Sequence, residues 1–216
     1  VNYRGAGTIE FLVDKYRHFY FLEMNTRLQV EHPITEEVVG VDLVKEQLHV
    51  AGGEALRFKQ EDLFQRGHAI ECRICAEDTE NGFIPCPGII RQLTEPNGIG
   101  VRIDSYVYEG YEIPLYYDPM IGKLIVWATN RQFAIERMRR VLYEFKITGL
   151  KTNISYLRRI MYAPAFVKGE YDTSFLSKYS RSLQRSNGEN EEIENMAMIA
   201  AYVDYLFNLD ENSPVR

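Results

Sequence analysis

The chain has 216 residues, 45% of them hydrophobic, with a formal net charge of −6. That composition allows a buried core in one or two domains, and its scattered basic residues argue against nucleic acid as a partner. No apolar stretch approaches the roughly 20 residues that span a bilayer, so no membrane association is expected. Cys72, Cys75 and Cys86 form no disulfide framework and suit a reducing, cytoplasmic compartment. The chain opens on Val1 and runs at once into strand-like sequence, which leads us to expect a piece of a longer protein cut within a domain.

In chain order, Ile9 to Val13 and Phe19 to Met24 read as a hairpin around the polar turn Asp14 to His18. Pro33 is expected to stop the extended run and Thr35 to cap a short helix. Asp42 is expected to cap a clearer helix that ends at Gly52-Gly53. From Gly67 onward, strands are expected at His68 to Ile74, Ile89 to Leu93, Gly100 to Tyr108 and Lys123 to Ala128. Asn130 should cap a helix whose apolar stripe is Ala134, Ile135, Met138, Val141, Leu142 and Phe145. A shorter helix should begin at Asn153. Ser182 to Asn190 reads as a linker, and Glu192 to Leu209 as an amphipathic helical tail. Strands precede helices in the second region, so the class is α+β.

The run from Glu23 to Pro33 carries the chemistry. Read as extended, it places Glu23, Asn25, Arg27, Gln29 and Glu31 on one face, with Met24, Leu28 and Val30 on the other. Glu10 lies in the apolar run Ile9-Glu10-Phe11-Leu12, where a lone acid is costly unless paired or bound to a metal. A closed hairpin would bring Glu10 to Glu23, and two carboxylates with the Asn25 amide suit a hard ion such as Mg²⁺. Arg27 can fork onto a planar anion, and Glu31 can accept a proton from it. From pattern alone, a solvated edge strand explains the same acids, and a structural salt bridge explains Glu10. Cys72-Arg73-Ile74-Cys75 has the spacing of half a zinc site but sits in a strand and lacks a second pair. Gly5-Ala6-Gly7-Thr8 precedes a strand, so it reads as a turn and not a phosphate loop.

The runs Gly7 to Leu12 and Glu23 to Pro33, with Gly40 to Gln47, Arg66 to Ile74, Ala76 to Asp78, Tyr116 to Leu124 and Gly149 to Asn153, resemble the biotin carboxylases of the ATP-grasp superfamily. The resemblance covers roughly residues 1 to 178. It implies the carboxyl-terminal part of an ATP-grasp domain at residues 1–64, then a strand-rich biotin carboxylase C-terminal domain with flanking helices at 65–178. Residues 179–216 remain as linker and tail. It implies Glu10, Glu23 and Asn25 as ligands of Mg²⁺ or Mn²⁺, and Arg27, Gln29 and the Val30 backbone as the bicarbonate pocket. Glu31 would be the base, Arg73 would stabilise the biotin enolate, and Asp118 would lie near the biotin site. ATP and carrier-bound biotin would be the substrates. A biotin carboxyl carrier protein or domain and a carboxyltransferase component would be the partners. A homodimer is implied through the second region, with Ile99, Arg102 and Glu144 at interface positions. The resemblance also places the glycine-rich lid and ATP-gripping lysines upstream of Val1, so the chain alone should be inactive. Two other readings stay open, a different ATP-grasp ligase and a non-catalytic assembly module.

Overall fold

A computed structural model describes residues 2–184 and, beyond them, Met196, residues 198–200 and Tyr202. In chain order the elements are β1 (Thr8–Val13), β2 (Phe19–Asn25), α1 (His32–Val39), α2 (Leu43–Ala51), β3 (His68–Cys75), β4 (Glu77–Asp78), β5 (Ile84–Pro85), β6 (Gly88–Ile89), β7 (Gln92–Thr94), β8 (Val101–Ser105), β9 (Glu112–Ile113), β10 (Met120–Ala128), α3 (Arg131–Glu144), β11 (Lys146–Thr148), α4 (Ile154–Tyr162), α5 (Pro164–Lys168) and α6 (Phe175–Gln184). The fold is α+β. Two units are present, residues 1–170 and residues 171–216.

In the first unit, β1 and β2 form an antiparallel hairpin with Glu10 opposite Glu23. Its turn is built by Asp14, whose carboxylate accepts from the backbone N–H of Tyr16 (2.8 Å) and His18 (2.9 Å). Antiparallel β3, β10 and β8 form a three-stranded sheet in the order β3-β10-β8. Strand alternation gives that sheet two different faces. Ile70, Cys72, Ile74, Leu124, Val126 and Ala128 join Ala134, Ile135, Met138, Val141 and Leu142 of α3 in the buried core. Each fully buried aliphatic side chain there contributes roughly 1.5–3 kcal/mol. The opposite face carries Glu71, Arg73, Lys123, Arg102 and Asp104, and α1 packs on it.

The expected caps at Asp42 and Asn130 form, accepting from Lys45 N (2.8 Å) and Phe133 N (2.9 Å). Elsewhere the structure corrects the expectations. The run beyond Asn25 is not extended: the strand stops there, residues 26–31 turn, and α1 begins at His32 with Glu31 at its N-cap. Proline fits the first helical turn, where its missing N–H has no partner to lose, so Pro33 starts the helix and Thr35 lies inside it. The expected strand at Ile89 to Leu93 divides into β6 and β7, which pair with β9 and β11 respectively. Asn153 precedes α4, but its side chain makes no cap hydrogen bond.

In the second unit, α6 takes in Ser182, the start of the expected linker. The rings of Tyr171 and Phe175, and of Phe175 and Tyr179, meet at a tilt with centroid distances of 5.7 and 5.1 Å. The remainder of the linker and most of the tail lie outside the described residues. Within that stretch Met196, residues 198–200 and Tyr202 are helical.

Candidate active site

The hairpin register brings two acids together. Directly opposed residues of an antiparallel pair share a face, so the Glu10 and Glu23 carboxylates lie side by side. Asn25 Nδ2 donates to Glu10 Oε1 (2.8 Å) and to Glu23 Oε1 (3.4 Å). Its amide therefore bridges the pair, where a cation would also be drawn. The donors are oxygens, which fits a hard divalent ion with phosphate and water completing its coordination. The Asn25 oxygen accepts from Arg27 Nη2 (3.2 Å), so binding a metal through it requires the amide to turn.

Arg27 links the hairpin to the turn that follows. Its Nη1 donates to the Leu28 carbonyl and to Gln29 Oε1, both at 2.9 Å. Arg27, Gln29 and Asn25 are thus gathered by one guanidinium fork, not by strand alternation. Lys123 Nζ donates to the Val30 carbonyl (3.2 Å) and pairs with Asp104 (3.3 Å), fixing the turn to β10. Glu31 accepts from Arg73 Nη2 at 2.8 Å, joining the turn to β3 across 42 positions of sequence. Both side chains are about half exposed, so the pair is accessible and contributes little to stability by itself.

The charged face beneath is more deeply held. Glu36 of α1 accepts from Leu43 N (2.7 Å) and from Arg102 Nη1 (2.7 Å). Arg102 also grips Asp104 with two hydrogen bonds, at 2.8 and 2.9 Å. Burial would raise the Asp104 carboxyl, but Arg102 and Lys123 outweigh it and hold it below its ordinary value. Glu71 is the exception. Its carboxylate oxygens are buried with no hydrogen-bond partner among the described residues. Burial pushes its pKa up to about 7, against the pull of Lys123 and Arg73 and with the repulsion of Glu31 and Asp104.

Asp118 lies in the loop before β10, where it accepts from Met120 N (2.9 Å). Its charge reaches Cys75, whose thiol is raised to about 12 chiefly by burial. Cys72 is likewise raised to about 12 by burial. Two residues three apart on a strand face opposite ways, which removes Cys72 and Cys75 as a ligand pair. Of the interface candidates, Ile99 is 90% exposed, Arg102 is engaged with Glu36 and Asp104, and Glu144 pairs with Arg140 at 2.7 Å.

Sequence reasoning gave no site role to Lys123, Glu71 or Asn153. A signal existed for the first two: Lys123 is the one charge in the strand Met120–Ala128, and Glu71 alternates with Arg73 on one face of His68–Cys75. Among the described residues, no helix is long and apolar enough to cross a membrane.

Comparison with known proteins places this geometry among relatives. Residues 71–178 match the family model for the biotin carboxylase C-terminal domain. Residues 1–59 match that for the carbamoyl-phosphate synthase L chain ATP binding domain. The chain is 56% identical over 181 residues to the biotin carboxylase of Nostoc sp., covering 84% of this chain and 40% of the relative. It is 57% identical over 183 residues to a pyruvate carboxylase subunit of Methanothermobacter thermautotrophicus, covering 85% and 37%. Among solved structures, it resembles the biotin carboxylase domain dimer of Hydrogenobacter thermophilus 2-oxoglutarate carboxylase in complex with MgADP, ADP and bicarbonate. That match has a TM-score of 0.80 and 45% identity, covering 85% of this chain and 40% of the other. The chain thus spans about 40% of the length of the curated relatives it matches.

Proposed function

The chain belongs to the biotin carboxylase family, and from that membership we propose that it forms part of an ATP-dependent ligase that carboxylates carrier-bound biotin. In this reading residues 1–64 complete an ATP-grasp domain, residues 65–178 form the C-terminal domain, and residues 179–216 are linker and tail. The observation that carries the reading is the Glu31–Arg73 pair beside the Arg27–Gln29 fork. A proton acceptor, an anion-binding arginine and a second exposed arginine meet there from two segments distant in sequence.

The proposed chemistry has two stages. Arg27, Gln29 and the Val30 backbone hold bicarbonate, and Glu31 removes its proton. A bicarbonate oxygen then attacks the γ-phosphorus of ATP and ADP leaves. Placement of the two reactants supplies much of the rate in such a transfer. Carboxyphosphate splits into CO₂ and phosphate, and phosphate takes the proton from the biotin ring nitrogen. The resulting enolate attacks CO₂ while Arg73, released from Glu31, neutralises its charge. Glu10, Glu23 and Asn25 would hold Mg²⁺ or Mn²⁺, which when bound offsets the phosphate charge. Asp118 would border the biotin site.

A carrier protein or domain and a carboxyltransferase component would be the partners. The chain would pair with a second copy through the C-terminal domain, with Ile99, Arg102 and Glu144 at the contact, as a sizing column can check. The catalytic test joins this chain to the preceding portion of the Nostoc relative and measures bicarbonate-dependent ATP cleavage with and without free biotin. Activity is expected in the joined protein and absent from the chain alone. ATP cleavage indifferent to bicarbonate, or full turnover by the chain alone, would overturn the reading.

A further inference from the structure

We propose that Asn153 is a positioning residue for Arg73, holding the segment of β3 from which that arginine reaches the site. The inference rests on the role given to Arg73 above. β3 lies at the edge of its sheet, paired on one side with β10. Asn153 makes three hydrogen bonds to it, as a neighbouring strand would. Its backbone N–H donates to the Cys75 carbonyl (3.1 Å), its Oδ1 accepts from Cys75 N (2.9 Å), and its Nδ2 donates to the Arg73 carbonyl (2.9 Å). Asn153 is 8% exposed, so water does not substitute for these bonds. The choice is specific, because Asn153 sits at the N-cap of α4 yet gives the helix no side-chain cap. Its amide has been directed to the strand instead.

The loop that carries Asn153 is itself anchored. Lys151 pairs with Asp78 of β4 at 2.5 Å, and the Thr148 carbonyl accepts from Arg91 N at 2.8 Å. Gly149 has φ 104°, and a Cβ there would collide with the Ile89 carbonyl. A fixed loop thus grips the backbone on both sides of Ile74, and a small shift at Arg73 is carried to the guanidinium through its long side chain. Misplacement by about 1 Å can cost 10²-fold in rate.

The test uses the joined, catalytically complete protein and follows the ratio of biotin carboxylation to biotin-independent ATP cleavage. Asn153→Asp keeps the acceptor for Cys75 N but sets a carboxylate oxygen against the Arg73 carbonyl. The ratio is expected to fall about tenfold or more. Arg73→Ala marks the floor, and adding Asn153→Asp to it should lower the ratio no further, because residues acting through one group are not additive. Leu142→Ala, which opens a cavity in the α3 core away from this loop, should lower the melting temperature without moving the ratio. Should Asn153→Asp fail to fold, Asn153→Ser, with one hydroxyl for two strand groups, reads the same ratio. A wild-type ratio in the Asn153 variant, while Arg73→Ala falls, overturns the positioning role alone. An equal fall in Leu142→Ala overturns it too, since general loosening would explain both. An unchanged ratio in Arg73→Ala instead refutes the role of Arg73, and the positioning role with it.

Discussion

The β1–β2 hairpin and the β3–β10–β8 sheet are both antiparallel, yet they are stabilised differently. In the hairpin, apolar residues point to both faces and stay exposed, Phe19 at 70% and Phe21 at 65%. Its cross-strand contacts, such as the edge-to-face Phe11–Phe19 pair at 5.5 Å, are local. The sheet buries one face against α3 and covers the other with α1 and a network of charges. Two-stranded hairpins are marginal alone, whereas a three-stranded sheet with a packed face is self-supporting. The same division runs through the proposed chemistry. The hairpin and the turn after it present the metal and bicarbonate residues, and the sheet presents Arg73 and anchors the turn through Lys123.

Three expected outcomes sharpen or break this contrast. The largest is kinetic and separates the turn from the hairpin. In the catalytically complete protein, Glu31→Gln should slow bicarbonate-dependent ATP cleavage about 10²- to 10⁴-fold with its Mg²⁺ requirement unchanged. Glu23→Gln should instead raise the Mg²⁺ concentration that gives half-maximal rate. A Glu31→Gln enzyme that turns over normally once Mg²⁺ saturates would reverse the two assignments.

The next outcome is thermodynamic and compares the two regions directly. Leu124→Ala in β10, where Leu124 is fully buried, should cost about 2–5 kcal/mol in urea unfolding of the chain. Leu12→Ala in the hairpin should change it by less than about 0.5 kcal/mol. Equal losses would mean that the hairpin is built into the same cooperative core.

The smallest effect tests the charged face. The native Glu71 carboxyl is raised from its ordinary 4.5 to about 7, so the folded protein holds that proton to higher pH than the unfolded chain does. Stability should therefore be lost as pH rises from about 4.5 through 7. Glu71→Gln removes this loss, gaining at most about 3 kcal/mol on wild type between pH 5 and pH 8.5, less with any solvent screening. Urea melts of both proteins at the two pH values check the sign. A difference that does not change with pH would show that Glu71 is ionised throughout.

Much was legible in the sequence because local rules decide it. Two β-rich runs around the polar turn at Asp14 specify the hairpin, and the apolar stripe from Ala134 to Phe145 specifies α3. Asp42 and Asn130 declare their caps because their side chains meet amides three residues on. The α+β class and the biotin carboxylase membership follow from motifs of that kind. The site itself needed tertiary structure. Residues Glu23 to Glu31 read as one alternating strand, but Pro33 starts a helix there, and the Arg27 fork, not alternation, gathers Asn25 and Gln29. The Glu31–Arg73, Lys123–Val30 and Asn153–Arg73 contacts span 42, 93 and 80 positions of sequence. No local spacing encodes them, because each exists only when α1 lies across the charged face of the sheet and the loop before α4 closes on its edge. The sequence by itself therefore determined which side chains were available, and burial of the sheet's apolar face against α3 decided which of them meet.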